Sequence, residues 1–459
     1  MKSVLKTGAG LLWTVMALAG CAHGKRSEPA DVRFTMTDDG GWCWFQDERA
    51  LVDGDLLIVG SVASGHEDQG RSGNVEVLWR NLVTGENGRT VLHENLQKDD
   101  HAAPALVVLD DGRYMAAYTR HGTDRLVRMR RSIVPGTAAV WGAETKVQIG
   151  PAASAGVTYS NLHRVEDDKG QVRLYDFYRG EGWNPNAIVL ENMRGQWEHA
   201  GSLMKGPGRP YVKYASDGRR IHFVATEQHP RDADNSLWHG YLEDGYLYDS
   251  NGELINALAV GSSSPRSYTR IFEGSPDGVA WPADLSIDSK GNPIAVYTVQ
   301  VDGADRPRGQ GGRDHRFRYA RWAGGRWLDV EMGRAGLRLY PGEDDYTGLA
   351  AIDPCNPLIV YVSTDEHPET GEPMLTERDS QRRREIFKGQ SWNGGRTWDW
   401  QALTSQSGAD NIRPIAVQWD EDRTILLWLH GNMKTYQDYA FEIHGLVIDH
   451  RISGIENAS

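Results

Sequence analysis

The sequence has little cysteine, no excess of positive charge and no long apolar run beyond its first twenty residues. Three cysteines in 459 residues are too few for the disulfide framework of a small secreted domain. The 50 Lys and Arg residues are outnumbered by 63 Asp and Glu residues, and this net charge of −13 argues against a general nucleic-acid binder. A mean hydropathy of −0.55 excludes a polytopic membrane protein.

Glycine and tryptophan, by contrast, are abundant. The chain holds 52 glycines and 16 tryptophans, and both numbers exceed average usage. Glycine suits tight turns and aromatic residues suit strands. No strong amphipathic helix interrupts the pattern, so we expect an all-β protein.

The first twenty residues are typical of a secretion signal. Lys2 and Lys6 precede an apolar run over residues 11–19, which is too short to span a bilayer. The run ends in Leu-Ala-Gly before Cys21, which resembles the cleavage box of bacterial lipoproteins and implies that Cys21 carries lipid. An ordinary secretion signal is the alternative.

These features predict the domain organisation and the location of the protein. Residues 1–20 are the expected signal, residues 21–35 a tether and residues 36–459 the functional domain. The protein is expected to be exported and lipid-anchored to the bacterial outer membrane, on its outer or its periplasmic face, with no other membrane contact. Whether Cys43 and Cys355 form a disulfide is open at this point, and a monomer is the default.

Seven segments share one pattern, a turn that contains Asp, usually with Gly or Asn, followed by an alternating apolar run. The turns begin at Asp53, Asp110, Asp168, Asp217, Asp288, Asp353 and Asp420, with a mean spacing of about 61 residues. Each segment is typical of a hairpin turn and a strand, and repeated antiparallel units are typical of β-propellers. The prediction is a seven-bladed β-propeller of four-stranded antiparallel blades, with a pair of β-sandwiches as the alternative.

Residues 391–398 (SWNGGRTW) support the propeller. They resemble the Asp-box turn of sialidase-like propellers, with Asn393 in the place of Asp. An Asp-box is a folding turn on the outer rim, so this motif indicates architecture and not a reaction.

Positive charge concentrates in a few segments of this acidic chain. Residues 120–131 hold five arginines and one histidine, and further basic groups occur at Arg179, Arg209 and Lys213. The planar guanidinium group matches carboxylate and sulfate geometry. The pattern favours an anionic ligand such as a uronate or a sulfated sugar.

Four side chains at strand ends can form one site. His101 and His121 are twenty residues apart, as are Tyr159 and Arg179, and a strand-turn-strand excursion of this length returns the chain to the same end of a blade. Proton abstraction next to a carboxylate needs a base, a cation against the carboxylate and an acid for the leaving oxygen. These four residues supply such groups, and a tyrosine beside Arg or His can have a lowered pKa.

The same residues lie in motifs that resemble the seven-bladed ulvan lyases of polysaccharide lyase families 24 and 25, with family 25 the more similar. The motifs are DDHAAPALVVLDDGRYMAAYTRHGTDR (99–125), VTYSN (157–161), FYRG (177–180), RPYVKY (209–214) and DNIRPI (410–415). The resemblance extends over residues 42–450. It implies β-elimination in ulvan, an anionic sulfated polysaccharide, between 3-sulfated rhamnose and glucuronic or iduronic acid, leaving a 4,5-unsaturated uronyl end.

The resemblance also implies roles for individual residues. His101 and Tyr159 match the positions that transfer protons, and Tyr159 also protonates the leaving oxygen. Arg179 matches the arginine that neutralises the uronate carboxylate, and His121 matches a second active-site histidine. The expected substrate contacts are Arg120, Arg209, Lys213 and one of the two tyrosines Tyr211 and Tyr246.

No cofactor is expected for this chemistry, although related lyases carry a structural metal ion between loops. The candidate ligands of such a zinc or calcium ion are His229 and His239, with Cys355 or His367. Their spacing leaves the ligand set open.

Two other functions compete with the lyase interpretation. A hydrolase on the same fold, such as a rhamnosidase or a sialidase-like enzyme, would use two carboxylates, for which Asp99, Asp100 and Asp124 are candidates. A non-catalytic glycan-binding lipoprotein is the other alternative. Unsaturated products would indicate a lyase, saturated products a hydrolase, and binding without cleavage a glycan-binding protein.

Overall fold

A computed structural model of the protein describes residues 32–150, 156–191, 195–303, 306–307 and 309–451. The expected signal (1–20), Cys21 and the tether as far as residue 31 lie outside the described residues. Residues 33–35, which we expected in the tether, instead belong to the first strand, β1 (Arg33–Thr37). Within the described ranges, no helix is both long and apolar enough to cross a membrane.

The strands form seven antiparallel sheets that follow one another along the chain. Blade 1 contains β2 (Ala50–Asp53), β3 (Leu56–Val62), β4 (Val75–Asn81) and β5 (Asn87–His93). Blade 2 contains β6 (Ala105–Val108), β7 (Tyr114–Tyr118), β8 (Leu126–Arg131) and β9 (Thr145–Gln148). Blade 3 contains β10 (Thr158–Glu166), β11 (Val172–Arg179), β12 (Pro185–Glu191) and β13 (Glu198–Ser202).

The fourth blade is the largest. It contains β14 (Val212–Ser216), β15 (Ile221–Ala225), β16 (Leu237–Glu243), β17 (Tyr246–Asp249), β18 (Leu254–Ala257) and β19 (Thr269–Phe272). The last two of these strands extend the expected four: β18 pairs with β17, and β19 pairs with β16.

Blades 5 to 7 complete the sequence of sheets. Blade 5 contains β20 (Val279–Ile287), β21 (Pro293–Gln300), β22 (His315–Ala323) and β23 (Arg326–Gly336). Blade 6 contains β24 (Ala350–Ile352), β25 (Ile359–Thr364), β26 (Glu385–Gln390) and β27 (Asp399–Ala402). Blade 7 contains β28 (Asp410–Gln418), β29 (Arg423–Thr435), β30 (Asp438–Asp449) and, as its outer strand, β1. Short 3-10 helices occur at Gln69–Arg71, Asp100–Ala102, Glu181–Trp183, Pro230–Asp232, Leu258–Val260 and Pro265–Ser267.

The first strands of the blades surround one axis. Contacts run from β2 to β6, β10, β14, β20, β24 and β28, and β28 returns to β2, which closes the ring. The N-terminal strand β1 pairs with β30, with Arg33 opposite Leu446, and so completes the blade that the C-terminal strands begin. The predicted seven-bladed propeller is therefore confirmed.

The seven Asp turns all connect the first and second strands of a blade. At Asp288, for example, Oδ1 accepts hydrogen bonds from the backbone nitrogens of Lys290 (2.9 Å) and Asn292 (2.8 Å). The carboxylate thus satisfies amides that have no strand partner. In the Asp-box-like turn between β26 and β27, Asn393 Oδ1 accepts in the same way from the nitrogens of Arg396 and Thr397.

Antiparallel pairing divides the loops between two faces of the ring. Turns between the first and second strands, and between the third and fourth, share one face. Turns between the second and third strands share the other face with the links from blade to blade, and we call this second face the connection face.

A buried segment from the link between blades 7 and 1, residues 42–49 (WCWFQDER), fills the axis. We call it the axial segment. The Gln46 side-chain nitrogen donates to the carbonyl oxygens of His101 (2.8 Å) and Ala103 (3.1 Å), and Lys213 Nζ donates to the Gln46 carbonyl. Asp47 accepts from the Tyr214 nitrogen and lies 2.8 Å from His163 Nε2. The axial segment therefore fixes the inner strands relative to one another.

Candidate active site

Two side chains at the axis project from β-bulges at the start of inner strands. The pairing register shifts between Thr158 and Asn161 in β10 and between Ile412 and Ile415 in β28. Within these bulges Tyr159 has φ +60° and Arg413 has φ +54°. A bulge redirects a side chain, and a non-glycine residue at positive φ costs about 1–3 kcal/mol, which points to function.

Two stacked histidines form the centre of the site. The rings of His101 and His121 lie 3.8 Å apart between centroids, with an interplanar angle of 12°. Asp99 lies beside both, with Oδ1 2.7 Å from His101 Nδ1 and Oδ2 3.0 Å from His121 Nδ1. Tyr436, from the β29–β30 turn, meets both rings edge-on at 5.2 Å.

The local chain path explains how Asp99 holds this pair. It precedes the 3-10 helix Asp100–Ala102 and accepts a hydrogen bond from the His101 nitrogen (3.1 Å) as its cap. Gln437 donates to the second carboxylate oxygen at 3.0 Å. Burial favours the neutral acid, but the charge of His101 and the hydrogen bonds of both histidines outweigh it and lower the pKa of Asp99.

The two histidines differ in protonation. Burial opposes charge on His101, yet the surrounding thiol, phenol and carboxylate groups, including Asp99 and Asp100, raise its pKa well above the ordinary value. Burial lowers the pKa of His121, and the positive charge of His101 lowers it further. At neutral pH these opposite pKa shifts favour the charged form of His101 and the neutral form of His121.

Tyr159 and Arg179 stand next to the histidine pair. The Tyr159 ring lies 5.2 Å from that of His101, and Arg179 Cζ lies 4.8 Å from the centroid of Tyr159. Arg179 donates a hydrogen bond to the Tyr211 hydroxyl at 3.1 Å. The four residues that were predicted to meet at strand ends are thus together. Of the two further tyrosines considered, Tyr211 and Tyr246, it is Tyr211 that contacts Arg179.

The pKa of Tyr159 differs from the sequence-based expectation. Burial raises it well above 10, and the opposing effects of His101 and Arg179 do not compensate. Tyr159 is therefore a protonated phenol in the free protein, which suits a proton donor. Arg179 keeps its charge because the neighbouring tyrosines and their hydrogen bond outweigh its burial and raise its pKa.

A buried ion pair contacts the histidine pair on its side towards the axial segment. Arg413 donates to Asp100 Oδ2 at 2.7 Å, and both side chains are almost fully buried. Asp100 Oδ1 lies 2.9 Å from His101 Nδ1, and Arg413 also donates to the Trp42 carbonyl of the axial segment. The site is therefore joined to the axis through Asp100 and Arg413.

The predicted substrate contacts occupy different places. Arg120 and Arg209 lie on the connection face, where they pair with Asp124 (3.7 Å) and Asp232 (3.3 Å). Lys213 is buried and bound to the axial segment, so it has a structural position. Tyr246 begins β17, after the turn from β16, and so lies on the opposite face from the histidines.

The sequence interpretation missed two aromatic residues of this site, Trp183 and Tyr436. Trp183 follows the FYRG motif by three residues and is 46% exposed. Its closeness to Arg179 in the sequence was the signal that could have identified Trp183 as part of the site. Tyr436 sits 315 residues beyond His121, in the last hairpin, and no local pattern connects the two.

The proposed metal ligands do not assemble. Among the described residues, three groups place three ligand atoms within 4.8 Å of one another, and none includes His229, His239 or His367. They are Cys43 with Asp100 and His101, Asp99 with His101 and His121, and Asp353 with Cys355 and His450. Both described cysteines, Cys43 and Cys355, are free thiols, which answers the question of their pairing.

The sequence and the fold now define the class of protein. A profile described as "BNR repeat-containing family member" matches residues 70–334, and the chain belongs to this family. Among curated proteins, none matches the sequence.

Solved structures are similar in fold. A family 25 polysaccharide lyase, an ulvan lyase bound to -[GlcA(1-4)Rha3S]-, has a TM-score of 0.61 at 14% identity, covering 90% of this chain and 95% of its own. The same type of lyase in a second structure has a TM-score of 0.60 at 14% identity and the same coverage. The GH93 α-L-arabinofuranosidase of Fusarium graminearum has a TM-score of 0.42 at 12% identity, covering 76% and 93%. The predicted resemblance to family 25 is confirmed as a likeness of fold.

Proposed function

We propose that the protein is a polysaccharide lyase that cleaves a uronate-containing, sulfated polysaccharide by β-elimination, with ulvan as its substrate. One observation carries the proposal: the Arg179 guanidinium group, the stacked His101 and His121 rings and the Tyr159 phenol meet in one cluster. These are the cation, the base and the acid that elimination next to a carboxylate requires.

Each group has a role in the elimination. Arg179, assisted by the charged His101, neutralises the uronate carboxylate and so acidifies the proton on C5. A neutral base takes that proton, the electron pair forms the C4–C5 double bond, and the C4–O bond breaks. Tyr159 donates its proton to the leaving oxygen, and the proton on the base then restores Tyr159. The bond is the one between 3-sulfated rhamnose and glucuronic or iduronic acid.

The protonation states indicate which histidine is the base. Tyr159 and His101 are the proton-transfer residues that the resemblance implies. In the free protein His101 is charged, whereas the pKa of His121 is lowered by burial and by His101. We therefore assign the proton acceptor to His121 and the supporting charge to His101.

The geometry favours elimination over hydrolysis. A hydrolase needs a carboxylic acid with a raised pKa as proton donor. Asp99 contacts both histidines, and its pKa is lowered. Burial raises the pKa of Asp124, but hydrogen bonds, that of Arg128 foremost, and the charges of Arg128 and Arg120 outweigh it and lower that pKa. Asp100 is bound by Arg413 at 2.7 Å.

One assay tests the proposed function. Purified protein is incubated with ulvan, and ultraviolet absorbance follows the conjugated uronyl double bond. A rise supports elimination. New reducing ends without a rise would indicate hydrolysis, and binding without either would indicate a glycan-binding protein.

The location and assembly of the protein belong to the same proposal. Lipid attachment at Cys21 would hold an exported monomer at the outer membrane beside a polymer too large to enter the cell. Labelled fatty acid should enter the intact chain and not the Cys21→Ala variant. An unlabelled intact chain contradicts the anchor without affecting the proposed reaction.

A further inference from the structure

An exposed tryptophan adjoins the catalytic cluster. Trp183 lies in the loop between β11 and β12 on the connection face, at the end of the 3-10 helix Glu181–Trp183. Its side chain is 46% exposed, and its φ is +64°. A non-glycine residue at positive φ costs about 1–3 kcal/mol, and such strained residues cluster at active sites and ligand-binding sites.

Two arginines lie over the indole ring of Trp183. Arg179 Cζ is 5.1 Å from the ring centroid, and Arg209 Cζ is 5.8 Å from it. Since Arg179 also lies over Tyr159 at 4.8 Å, Trp183 is next to the position of the uronate carboxylate. The Arg209 side chain is partly exposed and pairs with Asp232 at 3.3 Å.

The chemistry of this pair matches one type of ligand. The C–H face of a pyranose ring stacks on an indole in the way other apolar surfaces do. A guanidinium group binds sulfate or carboxylate through two parallel hydrogen bonds. A partly exposed indole with the Arg209 guanidinium group 5.8 Å from its centroid therefore suits a pyranose that carries an anionic substituent.

We propose that Trp183 and Arg209 form a subsite for the sugar adjacent to the uronate, with the pyranose on the indole and its sulfate against Arg209. The inference rests on the proposed function for the identity of the neighbouring uronate. It adds a binding position that the His101, His121, Tyr159 and Arg179 cluster does not provide.

A second exposed tryptophan gives a matched control. Trp392 is 64% exposed and belongs to the turn between β26 and β27, on the face opposite the histidines. Its indole nitrogen donates to Asp399 at 3.1 Å. Replacing it also removes an exposed indole, at a site that does not touch the connection face.

The test measures binding in the absence of turnover. Calorimetry is carried out with the Tyr159→Phe protein and two probes, a sulfated ulvan oligosaccharide and the same oligosaccharide after chemical desulfation. Adding Trp183→Ala should weaken binding of both probes by about tenfold, and Trp183→Phe should restore part of it. Arg209→Gln should weaken binding of the sulfated probe alone, and Trp392→Ala should change neither.

The outcomes separate this inference from the proposed function. Equal binding with and without Trp183, or no binding of either probe, overturns the subsite. Cleavage by the wild type with an unchanged KM in Trp183→Ala also overturns it and leaves the lyase standing. Absence of unsaturated product together with Trp183-dependent binding overturns the lyase and leaves the subsite.

Discussion

His101 and His121 stack face to face, and one carboxylate, Asp99, meets Nδ1 of both rings at 2.7 and 3.0 Å. Two rings at a centroid distance of 3.8 Å cannot both carry charge at low cost. The Asp99 carboxylate, which contacts both rings, therefore stabilises one added proton on the histidine pair. Because of this relationship, activity should fall at both acidic and alkaline pH.

The activity should show a bell-shaped dependence on pH. The pKa of His121 is below its ordinary value of about 6.5, so kcat/KM should fall as the base is protonated below pH 6.5. The pKa of His101 is above that value, so the alkaline fall should come well above pH 6.5, when its charge is lost. In Asp99→Asn the alkaline limb should move to lower pH, whereas Asp124→Asn should leave it in place. An unchanged pH profile in Asp99→Asn would contradict the stabilisation of the charged histidine by Asp99.

Loss of the phenol should stop the reaction. Tyr159→Phe removes the proton donor and keeps the ring that packs against His101, so we expect kcat to fall about 10²–10⁴-fold with an unchanged melting temperature. Ultraviolet absorbance measures the rate, and thermal unfolding provides the control. A rate close to that of the wild type would remove Tyr159 from the mechanism.

Loss of the carboxylate clamp should lower kcat/KM. Arg179→Ala removes the group expected to stabilise the developing charge, and a loss of about 10²–10³-fold is typical for one such donor. Arg120→Ala serves as the control, since its side chain is 40% exposed and paired with Asp124 at the rim. If both variants lose the same factor in kcat/KM, Arg179 contributes only general electrostatic attraction of the anionic substrate and does not hold the carboxylate.

The buried ion pair should matter for stability. Arg413→Met removes the guanidinium group from the buried Asp100 carboxylate and leaves it, among the described residues, only His101 as an ion-pair partner, so the free energy of unfolding should fall by about 3–5 kcal/mol. Arg423→Met breaks a half-exposed surface pair with Asp420 and should cost less than about 1 kcal/mol. Urea denaturation compares the two. Equal effects would show that Asp100 tolerates the loss of Arg413.

Chelation should not slow the reaction. The proposed steps use side chains of the protein as cation, base and acid, so a chelator should leave the initial rate unchanged. A structural ion, if bound, would hold blade 6 to blade 7 through Asp353, Cys355 and His450, and its removal would lower the melting temperature. A loss of rate with an unchanged melting temperature contradicts the metal-free mechanism.

Local sequence signals were sufficient for the ring but not for its axis. Asp288 and the six other Asp residues mark the first hairpin of every blade, and at Asp217, Asp288 and Asp353 the carboxylate accepts two turn amides from within five residues of chain. The axial segment has no such signal. Gln46 bonds to residues 55 and 57 positions away, and Arg413 bonds to Asp100 over 313 positions.

The site was predictable to the same extent. The spacing of His101 and His121, and of Tyr159 and Arg179, follows from strand length, so the four could be placed at one end of their blades. The raised pKa of Tyr159 could not be predicted, since it depends on how deeply the ring is buried. Tyr246 and Lys213 share the same limitation, because sequence does not show which face a residue occupies.

The pairing of β1 with β30 sets the order in which the protein can fold. Arg33 lies opposite Leu446, so the contact that closes the ring joins residues 413 positions apart. The first strand to leave the ribosome must wait, unpaired on one edge, until nearly the whole chain has followed it. The ring therefore stays open until its last strand is available, and blade 7 is the final unit to assemble.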